Sequence, residues 1–200
     1  MKIKKDTSSY KKSKILKAAA KIITKKGYHN TQMDDIAREA KVAKGTLYLY
    51  FKSKQELFTV FIDSIFQEVF STLNLIKDSK LNCLEKIKLF IKNNLVFFSK
   101  HKQFFSILLR ETRVVDKALD TKYKQKIYIR YNKISSALSK IIQQGIKENL
   151  LRPVDVRLAT EILNSIITSV IFTNIKSKHK QNLSRQTKNV LNIFLYGLGK

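Results

Sequence analysis

The sequence contains few residues that break helices or cross-link the chain: one proline, five glycines and one cysteine in 200 residues, with no tryptophan. A single cysteine, Cys83, excludes an intrachain disulfide and any zinc site built from several cysteines. The most apolar later stretch, at 162–175, is shorter than the ~20 residues needed to cross a bilayer. The basic N-terminus, MKIKKDTSSYKKSK, lacks the apolar run of a signal peptide. We therefore expect a mostly helical, cytoplasmic protein with no membrane partner.

Negative charge is also scarce, because 15 acidic residues stand against 40 basic ones and the formal net charge is +25. Such an excess indicates an acidic partner such as nucleic acid. A bias in the coding sequence is the alternative, since lysine supplies most of the basic residues. Residues 1–54 hold 15 basic and 4 acidic residues, a balance of +11, whereas the longer segment 55–200 holds 25 and 11, or +14. Positive charge is thus densest near the N-terminus.

The N-terminal segment has the pattern of short helices joined by tight turns. Apolar residues at helical spacing, followed by Gly27, predict a first helix of about four turns. Thr31 and Asp34 are close to the capping-box pattern and predict the start of a second helix of about two turns. A third helix is predicted at 45–51, and the Ser-x-x-Glu capping box at 53–56 starts a long fourth helix.

The third helix is predicted to have an unusual outer face. Leu47 and Phe51, four residues apart, predict its inner side. The outer side then carries a glycine, hydroxyl groups and a leucine, which suit close approach to DNA, hydrogen bonds to phosphates or base edges, and contact with a thymine methyl. Lys44 and Lys54 bracket the helix as candidate phosphate contacts. The alternative is a plain helical hairpin with a solvated lysine face.

Residues 27–58, GYHNTQMDDIAREAKVAKGTLYLYFKSKQELF, resemble the DNA-binding segment of TetR-type transcriptional regulators. The matching positions are Gly27, Thr31, Ile36, Ala37, Ala40, Val42, Gly45, Leu47, Tyr48, Phe51, Lys54 and Leu57. The resemblance implies an N-terminal three-helix DNA-binding domain, 1–54, with a helix-turn-helix motif at about 32–51. It also implies a larger helical ligand-binding and dimerisation domain, 55–200, and a homodimer that usually represses transcription until a small molecule binds.

The same resemblance assigns DNA contacts position by position. The expected contact residues are Thr31, Gln32, Met33, Ala43, Lys44, Gly45, Thr46, Tyr48, Leu49, Tyr50 and Lys54. Met33 departs from the small hydroxyl residue often found at its position. A symmetric dimer would present two copies of the third helix to an inverted-repeat operator in double-stranded DNA.

Helical patterning continues after residue 54, and the all-α fold class follows from it. The predicted segments are 55–77, 81–99, 102–113, 117–148, 153–176 and 184–198, with Pro153 in the first turn of the fifth. The last two are apolar on more than one side, which predicts a four-helix interface between two copies; the alternative is burial within one domain. The residues assigned to the interface are Ile162, Ile166, Ile167, Val170, Leu191, Phe194, Leu195 and Leu198.

Repeated phenylalanines in the central segments indicate an apolar ligand pocket, although ordinary core packing would use the same residues. Two arginines one helical turn apart suit a carboxylate or phosphate at the pocket mouth. The candidate residues are Phe66, Phe70, Phe90, Phe97, Phe104, Phe105, Arg110 and Arg113. A long-chain acyl effector is expected, with a lipophilic cation as the alternative.

An enzyme and a nonspecific DNA-coating protein are the alternatives to a transcriptional regulator. An enzyme needs nucleophiles, proton-transfer groups or metal ligands, but the histidines at 29, 101 and 179 are isolated and no phosphate loop or metal-ligand spacing occurs. No catalytic residue, metal or cofactor is therefore predicted. A nonspecific DNA-coating protein would need only the lysine excess, and it differs from a regulator by binding random duplex as tightly as any chosen site.

Overall fold

The computed structural model describes residues 2–102, 105, 121–177, 179 and 181–197, with side chains for all of these except 2–7, 122–124 and 127. Every regular element in these ranges is an α-helix, which confirms the all-α fold class. The helices are α1 (Lys2–Lys26), α2 (Met33–Glu39), α3 (Lys44–Tyr50), α4 (Lys54–Lys77), α5 (Cys83–Lys100), α6 (Thr121–Lys147), α7 (Val156–Lys176) and α8 (Leu183–Tyr196).

The chain divides into two compact units. The first contains 1–65 and 103–127, and the second contains 66–102 and 128–200. Helices α4 and α6 each run from one unit into the other. The predicted domain boundary after residue 54 stays a prediction.

The first unit holds the long helix α1, the short helices α2 and α3, and the first turns of α4 and α6. Helix α1 ends before Gly27, whose φ of 81° and N–H bond to the Ile23 carbonyl, at 2.8 Å, make it the predicted helix stop. Helix α2 packs against both α1 and α3. The unit has a fully buried core of Ile15, Ile23, Ile36, Leu47, Phe51 and Leu57.

The start of α2 lies one residue later than the sequence predicted. The N-cap is Gln32, and its N–H donates to Asp35 Oδ2 at 3.3 Å. The Thr31 hydroxyl instead donates to the carbonyl of Gly27, the residue directly after α1, at 2.7 Å. A hydrogen bond from Lys26 holds the pKa of Asp35 below its ordinary value, and this ion pair joins α1 to α2.

The predicted capping box at the start of α4 is confirmed with one adjustment. The Glu56 N–H donates to Ser53 Oγ at 3.1 Å, as the pattern requires. The Glu56 carboxylate reaches back to the N–H of Lys52, at 2.7 Å. The backbone between α3 and α4 is therefore tied to the first turn of α4.

The second unit is built around α5, which packs against α7 and α8. Its fully buried apolar residues include Ile87, Ile91 and Leu95 from α5, with Leu138, Ile141 and Ile142 from α6 and Leu163 from α7. Pro153 does not lie in the first turn of α7, contrary to the prediction. Helix α7 begins at Val156 because the Asp155 side chain caps it, accepting from the Leu158 N–H at 3.0 Å. Most of the segment predicted as a helix at 102–113 lies outside the described residues.

Helix α7 is the one candidate membrane span in the described part of the chain, by length and apolar composition alone. Length and composition do not distinguish a membrane span from the core helix of a soluble protein, which passes the same test. Its inner face, with Leu163, Ile167, Ile171 and Ile175, is buried in the second unit.

Candidate nucleic-acid interface

A tight turn joins α2 to α3 and sets the direction of α3. Ala40 is the C-cap of α2, and Lys41 follows in the left-handed region with a φ of 52°. The N–H of Lys41 bonds to the Arg38 carbonyl at 3.1 Å, and the N–H of Val42 bonds to the Ala37 carbonyl at 3.0 Å. This is the Schellman arrangement, which normally places glycine at the left-handed position.

Helix α3 presents the two faces that its periodicity predicts. Leu47 and Phe51, the residue directly after the helix, are buried in the core. Ala43, Lys44 and Gly45 are exposed at the start of the helix, and Thr46 and Tyr50 are half-buried. Tyr48 is 42% exposed and Leu49 is 86% exposed. An apolar side chain as open to solvent as Leu49 has no role in the core of its own domain.

Gly45 is not required by the packing of this domain. A Cβ built at this position would meet no atom within 4 Å, and the residue has no left-handed backbone angle. Glycine is also a poor helix former. The missing side chain leaves the backbone of α3 uncovered at this position.

Lys44 connects α3 to α2. Its Nζ lies 2.9 Å from Asp34 Oδ2, and this hydrogen bond raises the pKa of Lys44. Both side chains remain accessible to solvent. Part of the positive charge of Lys44 is therefore already balanced within the domain.

Lys54 has a structural role that the sequence did not reveal. Its Nζ donates to the carbonyls of Tyr28, His29 and Thr31, at 2.7, 3.1 and 2.9 Å, and lies 4.6 Å from the centre of the Tyr28 ring. The Lys54 ammonium thus lies within hydrogen-bond distance of three carbonyls in the loop between α1 and α2. Burial raises the pKa of the Tyr28 phenol, whose ring also packs on Phe58. A lysine that closes a loop has the same sequence signature as one that contacts DNA.

The start of α2 offers fewer side chains to a partner than the resemblance implies. Thr31 and Met33 are buried, whereas Gln32 is exposed. Contacts from Thr31 or Met33 to DNA would have to come from the backbone. Apart from Gln32 at the start of α2, the exposed contact candidates lie on α3 and at its N-cap.

The predicted pocket residues are only partly brought together. Phe90 and Phe97 line a cavity of about 160 Å³ in the second unit, together with apolar residues of α4 and the polar side chains of Glu68, Asn94 and Lys100. Phe66 and Phe70 are half-buried and do not line it, and Phe105 belongs to the first unit. The remaining candidates, Phe104, Arg110 and Arg113, lie outside the described residues.

The predicted interface residues divide between the surface and the core. Ile162 is 45% exposed and lines an apolar groove of about 560 Å³ with Leu158, Phe194, Leu195 and other residues of the second unit. Ile167 is 3% exposed and belongs to the core of that unit. The others are Ile166, Val170 and Leu191, which are half-buried, and Leu198, which lies outside the described residues.

No group of three side chains suited to a metal ion occurs among the described residues. The polar side chains discussed above form separate hydrogen bonds and ion pairs, such as those of Lys44 and Lys54.

Comparison with known proteins extends the similarity along the chain. Residues 15–60 match the model of a family described as bacterial regulatory proteins, tetR family. The chain is 30% identical over 186 residues to the fatty acid metabolism regulator protein of Bacillus subtilis (strain 168), a match covering 92% of this chain and 93% of that protein.

Two solved structures share the fold over nearly the whole chain. The transcriptional regulator FadR from Bacillus subtilis, in complex with stearoyl-CoA, has a TM-score of 0.79 at 25% identity, covering 94% of this chain and 99% of that one. The fatty acid degradation regulator FadR from Bacillus halodurans has a TM-score of 0.80 at 23% identity, covering 94% and 96%.

Proposed function

Since this chain belongs to the TetR family of DNA-binding bacterial transcriptional regulators, we propose that it is a cytoplasmic repressor that binds a two-fold symmetric operator as a homodimer. Its effector is a long-chain acyl compound that releases the operator. The main support for DNA binding is the outer face of α3, where Leu49 is exposed to solvent and Gly45 has no side chain to cover the backbone.

The DNA-facing part of the proposal assigns specificity to α3. Tyr48 and Thr46 offer hydroxyl groups to base edges, and Leu49 offers an apolar contact to a thymine methyl. Gly45 allows α3 to enter the major groove deeply enough for these contacts. A nonspecific DNA-coating protein would need none of these features, because lysines alone would supply its affinity.

The homodimer is proposed from the exposed apolar surface of α7 and α8. Leu158, Ile162 and Tyr196 leave large apolar areas in water around the groove. Contiguous apolar surface of this kind is typical of a protein–protein interface. A second copy of the chain would cover it and would place two α3 helices on one DNA molecule.

The acyl effector is proposed from the relatives together with the cavity lined by Phe90 and Phe97. The similar FadR of Bacillus subtilis is described in complex with stearoyl-CoA. Lys100 on the cavity lining suits the anionic end of an acyl compound. At about 160 Å³, the cavity is smaller than the roughly 300–1,000 Å³ of ordinary ligand sites, so a long chain would have to widen it. Glu68 on the same lining is the group that would suit a lipophilic cation.

The DNA-binding proposal is tested by selecting duplexes from a random pool with the purified full chain. We expect an inverted repeat whose half-sites lie about one helical turn apart. Recovery of unpaired half-sites would contradict the dimer, and equal affinity for random duplex would favour a DNA-coating protein.

The effector proposal is tested by titrating the protein–operator complex with stearoyl-CoA, stearate and tetraphenylphosphonium. We expect release by one or both acyl compounds and not by the cation. Lys100→Gln should raise the concentration needed for release, whereas Lys92→Gln, an exposed lysine on the same helix, should not. Release by the cation alone would show that the effector class is wrong.

A further inference from the structure

We propose that Lys41 and Lys52 make the phosphate contacts that position α3 on DNA, one before the helix and one after it. This inference rests on the proposed operator binding and concerns which cations carry it. The sequence pattern assigns the same role to Lys44 and Lys54.

Lys44 and Lys54 are already engaged inside the first unit. Lys44 forms its ion pair with Asp34, and Lys54 directs three hydrogen bonds to the loop between α1 and α2. Using the Lys54 ammonium for a phosphate would leave up to three carbonyls without this donor. A phosphate is therefore better served by cations that have no such partners.

Lys41 is a cation of this kind, and its backbone position is unusual. The residue lies in the left-handed region, which favours glycine, and its side chain is exposed. Lys41 Nζ makes no hydrogen bond or ion pair with the residues that the structure describes. A lysine at a position whose backbone conformation favours glycine indicates that its side chain has a role outside the domain. Attraction to the C-terminal end of α2 is the internal alternative.

Lys52 is the corresponding cation after α3. Its side chain is exposed and is likewise unbonded among the described residues, while its N–H is held by the Glu56 carboxylate at 2.7 Å. The backbone of Lys41 is held in the same manner by its hydrogen bond to Arg38. Both lysines thus project from fixed backbone, which lowers the entropic cost of placing them on a phosphate.

Lys41 lies three residues before the first residue of the recognition helix α3, and Lys52 lies two residues after its last. Helix α3 has seven residues and is therefore about 10 Å long. A recognition helix lies in the major groove, which is about 12 Å wide and is bordered by the two phosphate backbones. Cations just beyond the two ends of such a helix lie near the phosphate backbones that border the groove. Phosphate contacts on both sides would fix the register of Tyr48 and Leu49 on the bases.

The test measures affinity for the selected operator as a function of salt concentration. Lys41→Gln and Lys52→Gln should each weaken binding by about tenfold and lower the slope of log K against log salt by about 1.8 per dimer, because each phosphate contact contributes roughly 0.9. Lys41→Arg should retain the wild-type slope. Lys140→Gln, which removes an exposed lysine of α6, is the control for net charge and should leave the slope unchanged.

Three outcomes would overturn the inference. The first is a slope for Lys41→Gln and Lys52→Gln equal to that of Lys140→Gln. The second is a changed base preference in the selected site, which would make these lysines base contacts. The third is a Lys41→Gln protein with lower thermal stability but an unchanged slope, as the interaction with α2 predicts. A wild-type protein that selects no duplex would instead overturn the proposed function itself.

Discussion

At the scale of single residues, Gly45 is a position where the stability of the helix favours alanine and the proposed DNA binding favours glycine. The space around its Cα is empty, so Gly45→Ala should raise the free energy of unfolding by a few tenths to about 1 kcal/mol through helix propensity. The same methyl group would separate α3 from DNA and weaken operator binding. Chemical unfolding and operator titration measure the two effects on one protein.

Gly145 is the matched control for Gly45. A Cβ there would lie 2.4 Å from Cys83 Sγ and 2.7 Å from Leu151 Cδ1, so Gly145→Ala should destabilise the protein by about 1–3 kcal/mol. If Gly45→Ala also destabilises the fold, or leaves operator binding intact, the role assigned to Gly45 is wrong.

Lys54 provides a second residue-scale prediction. Lys54→Met keeps the length of the side chain but removes the donor to three carbonyls, so we expect a loss of about 1–3 kcal/mol in the free energy of unfolding. Lys52→Met, two residues away and exposed, should change stability by less than about 0.5 kcal/mol. Urea denaturation of both variants checks the difference. Equal stabilities would show that the three hydrogen bonds contribute little.

At the scale of elements, the turn between α2 and α3 contains removable strain. Lys41→Gly should relieve the left-handed backbone at the cost of some attraction to the end of α2, for a net gain of about 0.5–1 kcal/mol. The expected rise in Tm is about 1–4 °C, measured by thermal unfolding.

Asn149, with a φ of 55°, occupies the same position after α6 and serves as the comparison for Lys41. The N–H of Leu150 bonds to the Gly145 carbonyl there, just as the N–H of Val42 bonds to the Ala37 carbonyl after α2. Asn149→Gly should stabilise less, because asparagine tolerates the left-handed region better than lysine. It should leave DNA binding unchanged. A Lys41→Gly protein that is no more stable than wild type would show that the turn is not strained.

At the scale of the whole molecule, the exposed and buried residues of α7 separate dimerisation from folding. Ile162→Asp places a charge on exposed apolar surface and should give a folded monomer with weakened operator binding. Ile167→Asp places a charge in the core of the second unit and should unfold it, with a loss above about 3 kcal/mol. Sedimentation together with circular dichroism distinguishes the two results. A wild-type protein that is monomeric at micromolar concentration would contradict the proposed dimer.

Much of the fold was predictable from local patterns. The stop at Gly27 and the capping box at Ser53 depend on residues within one helical turn, and both are confirmed. The starts of α2 and α7 differ from the prediction because the residue that caps each helix is not the one that the local pattern indicates. Thr31 bonds backward to α1, which leaves Gln32 as the cap, and Asp155 caps α7 after Pro153.

The sequence by itself determined the family, the helical class and the inner and outer sides of α3, because periodicity and motif spacing are local properties of the chain. Only the tertiary structure decided which lysines are engaged and which apolar residues are covered. Lys54 meets carbonyls more than twenty positions away in sequence, and Ile162 and Ile167 differ in exposure through packing around α7. Such contacts depend on how separate segments meet in space, which residue type and spacing do not encode locally.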